Sequence, residues 1–415
     1  MKIVQSTVRL IARCVFYLLV LPGLLILEPF KKFRFGTLHD GRYGHLTLNT
    51  EVFLRQLQLR RLPYHGETFI FFSHAPANTA VVDMYKRVLK VITGYLPKKF
   101  YALIEPDLQK TRFHEPLKFI GTEHFEFTHG KPALAFNAEE EGNGRSFLRE
   151  VGLSEDDWFV CFHSRDPAYF AERQGFGETF LKESIRDCSI ETYYPAMKWV
   201  AQQGGWAFRM GAIIDKPLPD LGDRVIDYAQ HYRSDFLDNY ISAKCRFFFG
   251  CASGAHSAAY LFNKPVAGAH WAPFWETTLG RRSLIAPKQL RDLNTGQVLS
   301  FPEVWALGIH EKWPTQTVSY YREHLGLEWV ANTPEDVLDL CKDMADLSDG
   351  TVPDPETVAI QNAYQWLFRS VPPPDDESLF NKTYHRYDIG THRHPDAGRI
   401  NPRYARKYQH LILPE

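Results

Sequence analysis

The chain lacks most of the short motifs that would classify it at once. Its six cysteines, Cys14, Cys161, Cys188, Cys245, Cys251 and Cys341, contain no Cys-x-x-Cys pair. That spacing excludes a zinc knuckle and the disulfide framework of a small secreted domain, and predicts six reduced, buried thiols. An excess of one charge sign is missing too: 48 Lys and Arg face 49 Asp and Glu, a formal net charge of -1. A nucleic-acid-binding protein normally carries a basic surplus, so that class is disfavoured and any electrostatic attraction must come from local patches. There is no internal repeat of solenoid period. No Gly-x-Gly-x-x-Gly fingerprint, Asp-x-Asp, His-x-x-x-His or carboxylate cage occurs, so a dinucleotide site is weakly supported and no metal is expected.

Aromatic residues are plentiful: 30 Phe, 20 Tyr and 9 Trp in 415 residues, with 44% hydrophobic and 23% charged. This composition excludes disorder over most of the chain and predicts about two to three domains. From Cys14 to Leu27 the chain reads CVFYLLVLPGLLIL, without a charge. That run is shorter than the ~20 residues of a bilayer span, and Pro22-Gly23 is expected to kink or break a helix. The Glu28-Pro29-Phe30-Lys31 that follows is no signal-peptide cleavage site. Seven Lys/Arg between Pro29 and Arg61 face only Asp40 and Glu51, a basic collar suited to an anionic cytoplasmic leaflet. Residues 1–30 therefore read as a membrane-associating segment that spans, lies in the interface, or packs on the protein, and the expected location is the cytoplasmic face of the inner membrane.

Beyond it, strands and helices alternate. Lys32–His39 is a strand candidate, and Leu46, Phe53, Leu54 and Leu57 mark one helix face, with Glu51 and Arg55 paired on the other. Thr68–Ser73 (TFIFFS) is a strand, Phe100–Ile104 reads as strand-like, and the stretch ends in the polar, glycine-containing segment Glu139–Gly144. A second series contains strands at 158–163, 206–210, 225–228, 246–249 and 265–269, with helices at 192–203, 234–243 and 255–262. Such alternation predicts an α/β fold of two Rossmann-like, doubly wound domains facing across a cleft, at residues 31–150 and 151–350, with an irregular tail over 351–415 that packs back on them.

Ligands in such sheets sit beyond the carboxyl ends of strands. That geometry selects Gly250-Cys-Ala-Ser253-Gly254-Ala255, where N–H groups and the Ser253 hydroxyl suit a phosphate, or else form an ordinary tight turn. Arg165 and Arg209 stand at strand ends and suit a diphosphate; the alternative is a local ion pair, such as Arg165 with Asp166. Asp227 and Tyr228 are placed for base or ribose, or Tyr228 is a buried structural residue. Asp40 and His45 flank a strand-to-helix turn and are candidate general bases. Ser253 and His256 also raise a serine-hydrolase reading, although Gly250-Cys-Ala-Ser253-Gly254 departs from Gly-x-Ser-x-Gly.

In order and spacing, Gly41-Arg42-Tyr43-Gly44-His45-Leu-Thr-Leu-Asn49-Thr-Glu51, Cys161-Phe-His-Ser-Arg165-Asp166, Arg209-Met-Gly211, Asp227-Tyr228-Ala, Ser234-Asp235 with Asp238, and Phe249-Gly250-Cys-Ala-Ser253-Gly254 resemble a family of bacterial glycosyltransferases linked to surface polysaccharide or glycan assembly. The resemblance runs from about residue 36 to 275 and more weakly to Ile400-Asn-Pro-Arg-Tyr. It implies a GT-B fold with an N-terminal acceptor domain and a C-terminal nucleotide-sugar domain, acting without metal or other cofactor. It places Arg165, Arg209, Ser253 and Gly254 at the donor phosphates; Ala255, Asp227 and Tyr228 are further donor-binding candidates, and Arg42, Tyr43, Gly44 and Asn49 acceptor-binding candidates. Asp40, His45 and Asp166 are then the catalytic candidates. His163-Ser-Arg165-Asp166 is also similar to a donor-phosphate motif of fucosyltransferases that use GDP-fucose, a lean toward a GDP-sugar. The expected partners are a nucleotide-sugar, a glycan or lipid-linked acceptor and a membrane surface. The rivals are a nucleotide-sugar epimerase and a non-catalytic membrane-anchored scaffold of a polysaccharide assembly complex.

Overall fold

The computed structural model describes residues 2–117, 124–165, 168, 184–274, 280, 282–309, 317–369 and 399–414. The chain forms two compact units, Met1–Phe119 with Gly130–Phe136, and Ile120–His129 with Asn137–Glu415. Both are α/β with a parallel sheet, the class predicted from the alternating pattern.

In the first unit, β1 (Phe33–Thr37), β2 (Thr68–Ser73) and β3 (Lys90–Thr93) lie side by side, all parallel. Alternation in TFIFFS decides how β2 is covered. Phe69, Phe71 and Ser73 are buried, and the rings of Phe69 and Phe71 meet Phe53 of helix α3 (Tyr43–Gln58) edge-on at 5.0 and 5.5 Å. Phe72, pointing to the opposite face, stacks on Tyr101 of α5 (Tyr95–Leu108) at 4.8 Å. Period-two side chains thus carry a helix on each face of the sheet. Between these helices comes α4 (Thr79–Tyr85), capped by Asn78, whose side chain accepts the Val81 N–H.

Four local expectations change. Phe100–Ile104 is helical, inside α5, where Tyr101, Ile104 and Leu108 recur on one buried face. Glu51 and Arg55 do pair, at 2.7 Å, but both side chains are fully buried rather than solvated, and Glu51 also accepts the Ala133 N–H. Segment 130–136 covers a face that looked exposed, and burial raises the Glu51 pKa despite Arg55. Pro22-Gly23 does not end the N-terminal helix: α1 (Lys2–Val15) passes through a π-helical turn, Phe16–Val20, into α2 (Leu21–Leu27). The wider turn lies immediately before Pro22, where one backbone donor is lost. Thr7–Leu27 is consequently a 21-residue apolar helix, long enough by length and composition to cross a bilayer. Finally, Cys14 is exposed rather than buried; all six cysteines are free.

The second unit holds a seven-stranded sheet in the order β12-β9-β8-β7-β4-β5-β6. Its members are β4 (Phe159–His163), β5 (Trp206–Arg209), β6 (Val225–Ile226), β7 (Phe247–Gly250), β8 (Val266–Trp271), β9 (Leu284–Pro287) and β12 (Arg399–Ile400), with every pairing parallel. The central strands are buried on both faces and read as apolar runs, FVCF ahead of His163 and FFFG. The polar segment Glu139–Gly144 opens the helix Ala138–Glu150, started by a capping box between Asn137 and Glu140. Arg399–Ile400 adds the edge strand beside β9 from within the tail. Strands β10 (Gln289–Asp292) and β11 (Leu327–Val330) form a separate two-stranded antiparallel sheet.

Candidate functional site

Strand order locates the topological switch point of the second unit. From β4 the chain winds outward through β5 to β6, then returns to the other side of β4 with β7 and winds the opposite way through β8 and β9. That point lies between β4 and β7, where the connecting segments diverge; in doubly wound sheets this is where ligands bind, beyond the strands' carboxyl ends. His163 and Gly250 face one another there in register. A methyl group on Gly250 would sit 3.0 Å from the His163 carbonyl oxygen, so the close approach favours glycine.

Arg165 and the Ser253–Ala255 turn both leave this switch point. Arg165 is mostly buried, and its Nη1 donates to Asp187 Oδ1 at 2.9 Å. Its backbone N–H donates to Cys251 Sγ at 3.2 Å, tying the β4 loop to the β7 loop. Asp187 is itself anchored: Oδ2 accepts the Ser184 N–H, and the backbone oxygen accepts Lys288 Nζ at 2.8 Å. Lys288 also donates to the Ile185 carbonyl; burial lowers its pKa and that of Arg165. Asp187 and Lys288 carry no local sequence signal, because 101 residues separate the two ends of the Lys288–Asp187 hydrogen bond. Beyond β7, Ser253 is half-buried and extended, Gly254 is exposed, and Ser253 Oγ accepts the Ala255 N–H. His256 Nδ1 lies 3.3 Å from the Cys251 carbonyl, and burial pushes its pKa down to about 4. Ser253 and His256 are each tied to local backbone, as in a capped turn. The expected helix over 255–262 starts as a 3-10 turn, Gly254–His256, before Ser257–Leu261.

Arg209 differs. It is 2% exposed, with Nη1 on Asp227 Oδ1 at 3.1 Å and Nη2 on the Lys216 carbonyl. Asp227 also accepts the Leu218 and Gln230 N–H groups. This pair binds the loop after β5 to the helix that starts at Tyr228. Tyr228 is fully buried, its hydroxyl donating to Asp238 Oδ1 at 2.9 Å; this is the structural alternative for that residue. Asp238, half-buried beside Arg233, is pushed up to about 6 by desolvation. Asp166 lies outside the described residues.

The first unit collects its candidates at the carboxyl ends of β1 and β2. Asp40 Oδ2 accepts the Ser73 hydroxyl at 2.9 Å and the His74 N–H at 2.7 Å, and Lys98 Nζ lies 3.3 Å away. His45 stands in the first turn of α3, half-buried, with Nδ1 3.3 Å from Asn49 Oδ1. An imidazole donating from Nδ1 presents Nε2 as its acceptor, so Asn49 orients the ring. Arg42 is the N-cap residue of α3, and half-buried Tyr43 and Gly44 are its first residues. Sequence reasoning missed Lys98, Ser73 and His74, which only β2 and α5 bring to Asp40. Among the described residues, no three His, Cys, Asp or Glu side chains are grouped to hold a metal ion.

No family model matches the chain, and no curated protein matches it. Among solved structures it is similar to Escherichia coli ADP-heptose lps heptosyltransferase II, at 12% identity over 61% of this chain and 90% of that one, TM-score 0.43. It is also similar to a glycosyl transferase family 9 protein from Veillonella parvula, at 9% identity over 76% and 97%, TM-score 0.43. E. coli heptosyltransferase WaaC with ADP is similar at 11% identity over 61% and 91%, TM-score 0.31. Likenesses this distant assign no activity to the chain.

Proposed function

We propose that the chain is a glycosyltransferase that moves a sugar from a nucleoside diphosphate to a lipid-linked or surface glycan acceptor at a membrane. The observation that carries this reading is the placement of Arg165 and the Ser253–Ala255 turn on either side of the β4/β7 switch point. As the glycosidic C–O bond breaks, negative charge grows on the departing diphosphate. A guanidinium held by Asp187 and backbone N–H groups of a fixed turn stabilise that charge without reorganising. Arg209, Asp227 and Tyr228 act behind this edge by positioning its loops.

On the acceptor side, His45 Nε2 takes the proton of the attacking hydroxyl, with Asn49 holding the ring and Arg42, Tyr43 and Gly44 around the acceptor. Asp40, occupied by three donors, orders the turn. The donor is read as a GDP-sugar and the reaction as metal-independent, both from the sequence resemblance. The apolar helix Thr7–Leu27 associates the enzyme with the membrane.

The test is a thermal-shift panel of GDP, UDP, CDP, ADP and dTDP, each with and without EDTA, on the wild type and Arg165→Ala. Ligand at a hundredfold excess over Kd stabilises a folded protein by about 2.7 kcal/mol. One nucleotide should shift the wild type regardless of EDTA, and R165A should lose that shift. No shift with any nucleotide overturns the reading.

A further inference from the structure

We propose that the N-terminal helix does not span a bilayer but lies in the plane of one anionic leaflet as a fixed face of the first unit. This deepens the membrane association proposed above and is independent of the transfer chemistry.

The two sides of the helix differ. Ala12, Phe16 and Leu24 are buried against Tyr101, Ile104 and Leu108 of α5 and against Phe113. Leu18, Leu19 and Ile26, on the other side, are 73%, 68% and 70% exposed. Polar ties fasten its middle and its C-terminal end: Arg13 pairs with Asp107 at 3.1 Å, Tyr17 donates to the same carboxylate, and Glu28 pairs with Arg112. If Thr7–Leu27 crossed the hydrocarbon, Asp107, Lys110 and Arg112 would be drawn in with it or these contacts would all be lost, and charges at that depth are costly. Lying flat keeps every one of them and buries only the outer leucines and isoleucines. The supporting helix adds exposed Tyr95, Leu96 and Phe100, and Phe30 is 86% exposed just after α2.

Charge identifies the occupant. The chain as a whole is near neutral, yet residues 1–119 contain 18 Lys and Arg against 8 Asp and Glu. Arg9, Lys31, Lys32, Lys90 and Lys99 of this unit are exposed. An apolar face within a basic unit matches the acyl boundary and headgroups of an anionic bilayer, where insertion and electrostatic attraction add.

The full chain is tested by flotation with phosphatidylcholine vesicles, with and without phosphatidylglycerol. Binding should be at least about tenfold stronger with the anionic lipid and should weaken with salt. Leu18→Asp/Ile26→Asp touches only the exposed face, so it should weaken binding at least about tenfold while the thermal transition stays in place. Alkaline carbonate should release the wild type from membranes. Carbonate-resistant retention would show a span and overturn the inference while leaving membrane association intact. No vesicle binding by the wild type, or self-association that the double variant abolishes, would overturn both, and the nucleotide panel would still judge the transferase separately.

Discussion

The carboxyl edges of the two parallel sheets handle charge in opposite ways. In the three-stranded sheet a single carboxylate, Asp40, gathers donors from the end of β2 and from α5. In the seven-stranded sheet the guanidinium groups of Arg165 and Arg209 are the organising charges, each matched by one carboxylate from its own unit. Burial sets one pair apart: the Asp40–Lys98 side chains are 13% and 26% exposed and those of Arg165 and Asp187 15% and 21%, whereas those of Asp227 and Arg209 are 8% and 2%. Same-sheet chemistry can therefore produce an acceptor-centred edge or a donor-centred one, and only the second suits an anion such as a diphosphate.

Breaking the Arg209–Asp227 pair, the most enclosed of the pairs at these sheet edges, should have the largest effect. Arg209→Ala leaves Asp227 charged and unmatched inside the protein, and should lower the unfolding free energy by about 3–5 kcal/mol in urea titrations. A wild-type midpoint would mean that the pair is not a structural brace. Gly36→Ala comes next, because a methyl group there would overlap the Glu115 carbonyl oxygen and crowd the Phe71 ring. The neighbouring backbone cannot yield as a flexible side chain does, so a loss of about 1–3 kcal/mol is expected.

The pH profile sharpens the comparison more finely. With its pKa held near 4 in the folded chain against 6.5 ordinarily, His256 refuses a proton that the unfolded chain accepts between those values. Its contribution is complete above pH 6.5 and is lost as pH falls toward 4. His256→Gln should flatten that limb, and an unchanged slope would show the ring to be hydrated. Asp238 runs the other way: its pKa near 6 makes its contribution full below the ordinary value and lost as pH rises through 6. The smallest effect is expected for Lys98→Met, at most about 1 kcal/mol, since water screens a part-exposed pair. A cost equal to that of R209A would erase the contrast between the edges.

Much of the fold was legible because its signals are local. TFIFFS alternates, FVCF and FFFG are apolar runs, and Ser234 caps a helix by accepting the Leu237 N–H. The carboxyl-end rule then selected Arg165 and the Ser253 turn without any structure. Phe100–Ile104 misled because a five-residue apolar run fits a strand or one and a half turns of helix equally well, and only the Tyr101, Ile104, Leu108 series across α5 separates them.

The sequence by itself determined the element types, the parallel α/β class and the strand ends at which charged residues would stand, since these depend on side-chain periodicity and backbone chemistry within a few residues. Tertiary structure alone decided that Arg165 meets Asp187, that Arg209 is enclosed with Asp227, that Glu51 and Arg55 are covered near Ala133, and that only one side of the N-terminal helix is left open. Each of those outcomes depends on which distant segment arrives to exclude water, and burial rather than residue type then sets what a charge can do.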